Sequence, residues 1–158
     1  MKKRILTAIL LLLCTLLIFC GCDKGKDPDP DELPKEATLS ICYPEDSSHK
    51  GEYEEYVADD SFPMEVIIST DEPVTFLTVI GLMYEEYEGE YAFAATELNG
   101  YKYFNPERPL KLTVTNYGEI PSYGISYIDS CGEKHAFAIC VSGYDGSVYL
   151  EEIEISMG

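Results

Sequence analysis

The sequence contains no tryptophan, only two histidines, and 11 Lys and Arg against 29 Asp and Glu. Each shortage excludes something. Sugar-stacking platforms commonly lean on tryptophan, so its absence counts against one built that way. His49 and His135 lie in no His-x-x-x-His spacing and no Cys-x-x-Cys accompanies them, so the usual ligand spacings of zinc sites are missing. His49 falls in a polar stretch and His135 begins an alternating one, and both read as structural. There is no Gly-x-Ser-x-Gly elbow to present a nucleophile, no phosphate loop and no dinucleotide fingerprint. Beyond the first four residues, Lys and Arg form no cluster of the kind that nucleic acid rewards. No stretch carries a convincing helical stripe, and no internal repeat is visible.

What is present begins at the N-terminus. Met1-Lys2-Lys3-Arg4 is a positive start, and Ile5 to Phe19 is an apolar run without charge. That run is at the upper end for a signal-peptide core and short for a stable span of about 20 residues. It stops at Phe19-Cys20-Gly21-Cys22, followed by a polar run. Here the sequence resembles the lipobox of bacterial lipoproteins, in which a small residue precedes the cysteine that is lipidated and becomes residue one. Gly21 and Cys22 fit that pattern, whereas Phe19 and Cys20 depart from its commoner Leu and Ala, Ser or Thr. The resemblance implies that residues 1–21 are a signal peptide, that Cys22 carries the lipid, and that the protein is exported and held at a bacterial membrane. Cys20 is the poorer acceptor, because bulky Phe19 would occupy the small-residue position. Each buried methylene contributes about 0.8 kcal/mol, so two or more acyl chains make a stable anchor.

Loss of residues 1–21 removes three basic residues and no acidic ones, leaving 8 Lys and Arg against 29 Asp and Glu, a formal net charge of −21. Such a body is repelled by anionic lipid and by nucleic acid. Cationic proteins, divalent cations and neutral glycans remain as partner classes. Residues 22–36 include Pro28, Pro30 and Pro34 and no apolar periodicity, the composition of an extended tether. Residues 37–158 then amount to one domain.

In that domain the apolar spacing is mostly two. Leu39, Ile41 and Tyr43 alternate, and residues 44–60 read as a long polar loop. Met64, Val66 and Ile68 mark a second strand; Val74 to Met83 is a nearly continuous apolar run suited to a central strand. Gly89–Leu98 and Tyr101–Phe104 flank Asn99-Gly100, the dipeptide of two-residue hairpins. Leu110, Leu112 and Val114 alternate, then Tyr123, Ile125 and Tyr127, then His135, Phe137, Ile139 and Val141, with Gly132 suited to the turn between the last two groups. Tyr144-Asp145-Gly146 turns the chain into Val148–Leu150, and a phase slip predicts a bulge at Glu151-Glu152. Some seven to nine short strands with turn signals between them predict an all-β antiparallel sandwich, with a small open barrel as the alternative.

The stretch Tyr123–Val141, with Tyr127-x-Asp129-x-x-Gly132 at its turn, resembles the late hairpin of immunoglobulin-like and fibronectin-like bacterial surface domains. The antibody-type cysteine pair is missing, since Ile125 stands where the second cysteine would be.

Of six cysteines, Cys14 and Cys20 leave with the signal and Cys22 takes the lipid, so Cys42, Cys131 and Cys140 remain. The nine residues from Cys131 to Cys140 would span roughly 30 Å if extended, far beyond disulfide reach. Cys42 and Cys140 can pair only if the first and penultimate strands are neighbours; reduced thiols are the preferred reading. Tyr84, Tyr87 and Tyr91 stand among four glutamates in a predicted loop and strand start. Tyrosine suits protein interfaces or sugar stacking, and the acids can meet a basic partner or bind Ca²⁺ through oxygen. The expectation is therefore a non-enzymatic, lipid-anchored binding, adhesion or accessory module with no cofactor. A glycan-binding accessory protein or a small carboxylate-dependent hydrolase stands as the alternative.

Overall fold

The computed structural model describes residues 36–87, 90–116, 118 and 120–156, without the side chains of 86, 87, 90, 91 and 156. All of them belong to one compact unit, Pro34–Gly158. The expected signal peptide (residues 1–21), Cys22 and all of the expected tether but Glu36 lie outside the described residues. Among the described residues no helix is long and apolar enough to cross a membrane.

Among the described residues ten strands form two sheets. The first contains β1 (Leu39–Cys42), β2 (Glu54–Val57), β3 (Pro63–Thr70) and β6 (Leu110–Thr115), in the order β1-β3-β6-β2. The second contains β4 (Val74–Tyr87), β5 (Glu90–Phe104), β7 (Tyr123–Ile128), β8 (Lys134–Val141), β9 (Val148–Glu152) and β10 (Ile155–Ser156), in the order β10-β5-β4-β7-β8-β9. With β1, β3 and β6 on one side and β4, β7 and β8 on the other, this is the A-B-E and C-F-G arrangement of an immunoglobulin-like β-sandwich, and β5 holds the C′ place beside β4.

The core follows from the alternation. Val66 and Ile68 of β3, with Leu110, Leu112 and Val114 of β6, face Leu77 and Val79 of β4, Ile125 and Tyr127 of β7, and Ile139 of β8; Phe104 and Val74 close one end. These side chains are almost wholly buried. Truncating one of them, such as Leu112 to Ala, costs about 2–5 kcal/mol through lost transfer energy and the cavity left behind.

Four local expectations are corrected. Asn99-Gly100 is not a hairpin turn: β5 runs through it, and β4 pairs back on β5 from Tyr87↔Glu90. The register instead shifts where Val79 faces Asn99 and Ile80 faces Glu97, so Leu98 is the extra residue of a bulge. Residues 44–60 are not wholly loop, for a short 3-10 turn spans Pro44–Asp46 and β2 pairs in parallel with β6. The strands that carry Cys42 and Cys140 are not paired, since β1 and β8 lie in different sheets; Cys42, Cys131 and Cys140 form no disulfide. The phase slip near Glu152 marks a crossing between strands, not a bulge.

That crossing shapes the second sheet. Only Ile153 and Glu154 separate β9, at one margin, from β10, which pairs with β5 at the other. Three peptide steps reach at most about 10 Å, whereas the margins of a flat six-stranded sheet stand roughly 24 Å apart. The sheet is therefore rolled, its margins bridged by chain without becoming a closed barrel. Rolling buries the face turned away from the sandwich core. Ile80, Ser126, Ala136 and Ala138 lie there and are all buried. The face is lined with small side chains because only these fit inside the curve. At Gly124 a methyl group would collide with the Phe137 carbonyl and press on Ile80 and Leu82.

Candidate functional site

The rolled face holds a groove of about 510 Å³. Its floor is one register row, in which Gly100 pairs with Thr78 and Thr78 with Ser126. The adjacent row bears larger groups: Lys102 on β5, Phe76 on β4, Ile128 on β7 and Lys134 on β8. Glu97 lines the groove further along β5. Lys102 and Lys134 stand three strand spacings apart, about 15 Å between backbones, one on either wall.

Phe76 is held unusually. Thr75 faces Ile128 and Thr78 faces Ser126, so Phe76 and Leu77 together oppose Tyr127 alone, the two-against-one count of a bulge. Its φ is 51°, the left-handed region that a bulky residue rarely enters. The Thr78 hydroxyl donates to the Phe76 carbonyl at 3.0 Å and the Thr75 hydroxyl to the Ile128 carbonyl at 3.3 Å, pinning the bulge. The ring is left half exposed on the groove wall. Strain of this kind costs on the order of 1–3 kcal/mol, and bulges often re-aim a side chain beside a site.

The floor has one polar group with nothing to bond. Ser126 is 4% exposed and lines the groove, and its hydroxyl meets no hydrogen-bond partner among the described residues. Gly100 leaves space above it: an added Cβ would come no closer than 3.7 Å to the Thr78 hydroxyl, its sole neighbour.

A second cluster sits at the β7–β8 turn. Asp129 is buried, and its Oδ1 accepts the backbone N–H of Cys131 at 2.9 Å and of Glu133 at 2.8 Å. Its Oδ2 lies 3.2 Å from Nε2 of His135, whose ring stacks on Tyr127 at 5.0 Å. Burial pushes the Asp129 carboxyl up, but the Glu133 N–H, His135 and the Cys131 N–H outweigh it and hold the group below the usual carboxylate range. Asp129, Glu133 and His135 form the one trio among the described residues whose ligand atoms could share a metal ion. Both Asp129 oxygens are already engaged, so the cluster is accounted for by holding the turn, with Gly132 at φ 84° completing it.

The predicted tyrosines lie in paired strands, not a loop. Tyr84 is on β4 opposite Phe93, its ring 5.3 Å from that neighbour; Tyr87 ends β4 opposite Glu90, and Tyr91 on β5 faces Glu86. Met83 and Tyr84 are both exposed there. His49 bonds to the Glu52 carbonyl at 3.0 Å and meets Tyr53 edge-on, away from the groove. Burial, then nearby Asp46, raises the Cys42 thiol, and burial with Glu151 raises Cys140, so neither is an activated nucleophile.

Sequence reasoning missed the groove because its lining comes from four strands. The available signal was the run of small residues at alternate positions, Gly124 and Ser126 on β7 with Ala136 and Ala138 on β8, which marks a face approached closely by other chain. No family model matches the sequence, and neither a curated protein nor a solved structure matches it at a significant level.

Proposed function

We propose that this is an exported, non-enzymatic binding lipoprotein, anchored through Cys22, whose sandwich takes its ligand in the groove of the rolled sheet. The groove carries the reading: a concave, largely apolar site with a few convergent polar groups is the form small-molecule sites take. The Ser126 hydroxyl left without a partner, the strained Phe76 on the wall and the open space over Gly100 all point to an occupant. Binding is favoured over hydrolysis because a single carboxylate, Glu97, lines the groove, whereas acid–base work on a glycosidic bond uses two. The anchor rests on the Gly21-Cys22 motif and the polar tether.

Two measurements test this. Labelling with radioactive palmitate in a bacterial host should mark the parent chain and not Cys22→Ala; equal labelling would refute the anchor. The parent should capture an envelope component that Gly100→Leu, which fills the groove, fails to capture; equal capture by both would refute the groove as the site. The exposure of Met83 and Tyr84 favours a second reading, in which the β4–β5 hairpin with Tyr84, Tyr87 and Tyr91 meets a protein partner. Capture lost on replacing those tyrosines and kept in Gly100→Leu would select it.

A further inference from the structure

Two hydroxyls lie side by side on the floor of the groove. Thr78 and Ser126 are cross-strand neighbours on one face, which puts their Cβ atoms about 5 Å apart. Thr78 spends its proton on the Phe76 carbonyl at 3.0 Å, so its oxygen meets any further partner as an acceptor. Ser126 is buried too, yet its hydroxyl has no partner among the described residues. Of the unpartnered hydroxyls on buried residues, that of Thr70 is sealed from solvent, whereas that of Ser126 opens to the groove. Gly100 keeps the space beside them clear, since an added Cβ would meet the Thr78 hydroxyl at 3.7 Å and nothing else within 4 Å.

A free donor next to a spent donor with open lone pairs suits one group on one atom: a hydroxyl, which accepts from Ser126 and donates to Thr78. The rest of the lining narrows the class. Gly100, Thr78 and Ser126 carry no charge, so an ionised group seated there would lose its water for neutral partners alone. The charged residues of the lining are exposed; Glu97 and Lys102 oppose each other in sign and Lys134 already has a partner, which leaves no excess charge to hold an ion. A sugar would bring several hydroxyls to a floor that can bond one. Next to the floor row stand Ile128 and the half-exposed ring of Phe76, which gain by being covered with apolar surface.

We infer that the groove binds an uncharged, largely apolar molecule through a single hydroxyl, seated between Ser126 and Thr78 with the body beside Phe76. This rests on the groove being the binding site and adds the chemistry of what enters. The groove volume suits a body of one ring and a short chain.

The test is titration calorimetry on the full-length chain in neutral detergent with four matched probes: 4-phenylbutan-1-ol, butylbenzene, 4-phenylbutyrate and 4-phenylbutylamine. Parent and variants are compared at one detergent concentration, so that partition of a probe into micelles is common to both. The alcohol should saturate one site in the parent, with the acid and the amine about ten-fold or more weaker. Ser126→Ala should weaken the alcohol about ten-fold and leave butylbenzene unchanged, because only the alcohol loses a bond. Gly100→Leu should bind none of the probes while melting as the parent does. If Gly100→Leu abolishes binding but Ser126→Ala weakens no probe, the groove stands as the site and the hydroxyl assignment falls. If the acid or the amine binds there more tightly than the alcohol, the uncharged class falls. If no probe binds the parent, or Gly100→Leu binds them as the parent does, both the assignment and the groove fall.

Discussion

The Tyr127 hydroxyl donates to the Ala37 carbonyl at 2.8 Å, tying β7 of the six-stranded sheet to the segment that leads into β1 of the other. Its ring stacks on His135, which meets the buried Asp129. The phenol thus joins the Tyr43 hydroxyl, which donates to the Gly146 carbonyl at 2.7 Å, in fastening the N-terminal side of the domain. Tyr127→Phe should lower stability by about 1–2 kcal/mol, because the carbonyl loses its donor. Burial, with Asp129 next in effect, pushes this phenol up to about 12. Its folded value exceeds the unfolded value of about 10, so its contribution is intact below pH 10 and is lost as pH rises toward 12. Phenolate absorbance of the parent minus that of Tyr127→Phe should show the missing tyrosine ionising near the top of that window.

Asp129 behaves in the opposite sense. Its carboxyl is held below the usual range in the fold, so its contribution is present above about pH 4 and disappears as pH falls through the native value. Asp129→Asn should melt lower than the parent at pH 7. The gap should close as pH falls from 5 to 2, and a gap independent of pH would rule the ionised carboxylate out as its source.

Two glycines of the rolled face should respond differently to one methyl group. Gly124→Ala drives the methyl into the Phe137 carbonyl and should cost about 1–3 kcal/mol. Gly100→Ala meets open space and should change the denaturation midpoint little. Equal effects in urea unfolding would contradict the curvature that puts one glycine against backbone and the other over the groove.

Thr70 is buried, and its hydroxyl has no partner among the described residues. Thr70→Val keeps the shape and removes the unsatisfied group. It should raise stability by about 0.5–1 kcal/mol, read as a later midpoint in urea; a loss would mean that the hydroxyl is bonded in solution.

Phe76 should trade stability for binding. Asn tolerates the left-handed region better than Phe, so Phe76→Asn should melt no lower than the parent. Capture of an envelope component through the groove should fall several-fold with the ring gone. A variant that binds normally would remove Phe76 from the site.

Much of the strand pattern was legible. Leu110, Leu112 and Val114 face the core as their spacing implied, and Gly132 and Gly146 take positive φ at the turns expected of them. Asn99-Gly100 misled because a dipeptide that favours a tight turn also tolerates a bulge, and here the ladder to β4 continues on both sides of it. β2 was hidden because its pairing is supplied by β6, more than fifty residues later. Tyr84, Tyr87 and Tyr91 drew attention as a cluster in sequence, whereas Phe76, Gly100, Lys102, Ser126 and Lys134 are a cluster only in space.

By itself the sequence determined where most strands run and which of their side chains face the core, because successive residues of a strand point to opposite faces and that alternation belongs to each segment alone. The tertiary structure alone decided that the second sheet rolls so that a short connection bridges its margins, and that two lysines flank a groove floored by small residues. Register between strands tens of residues apart is set by packing of the whole sheet, and one position's slip would turn each of those side chains to the other face.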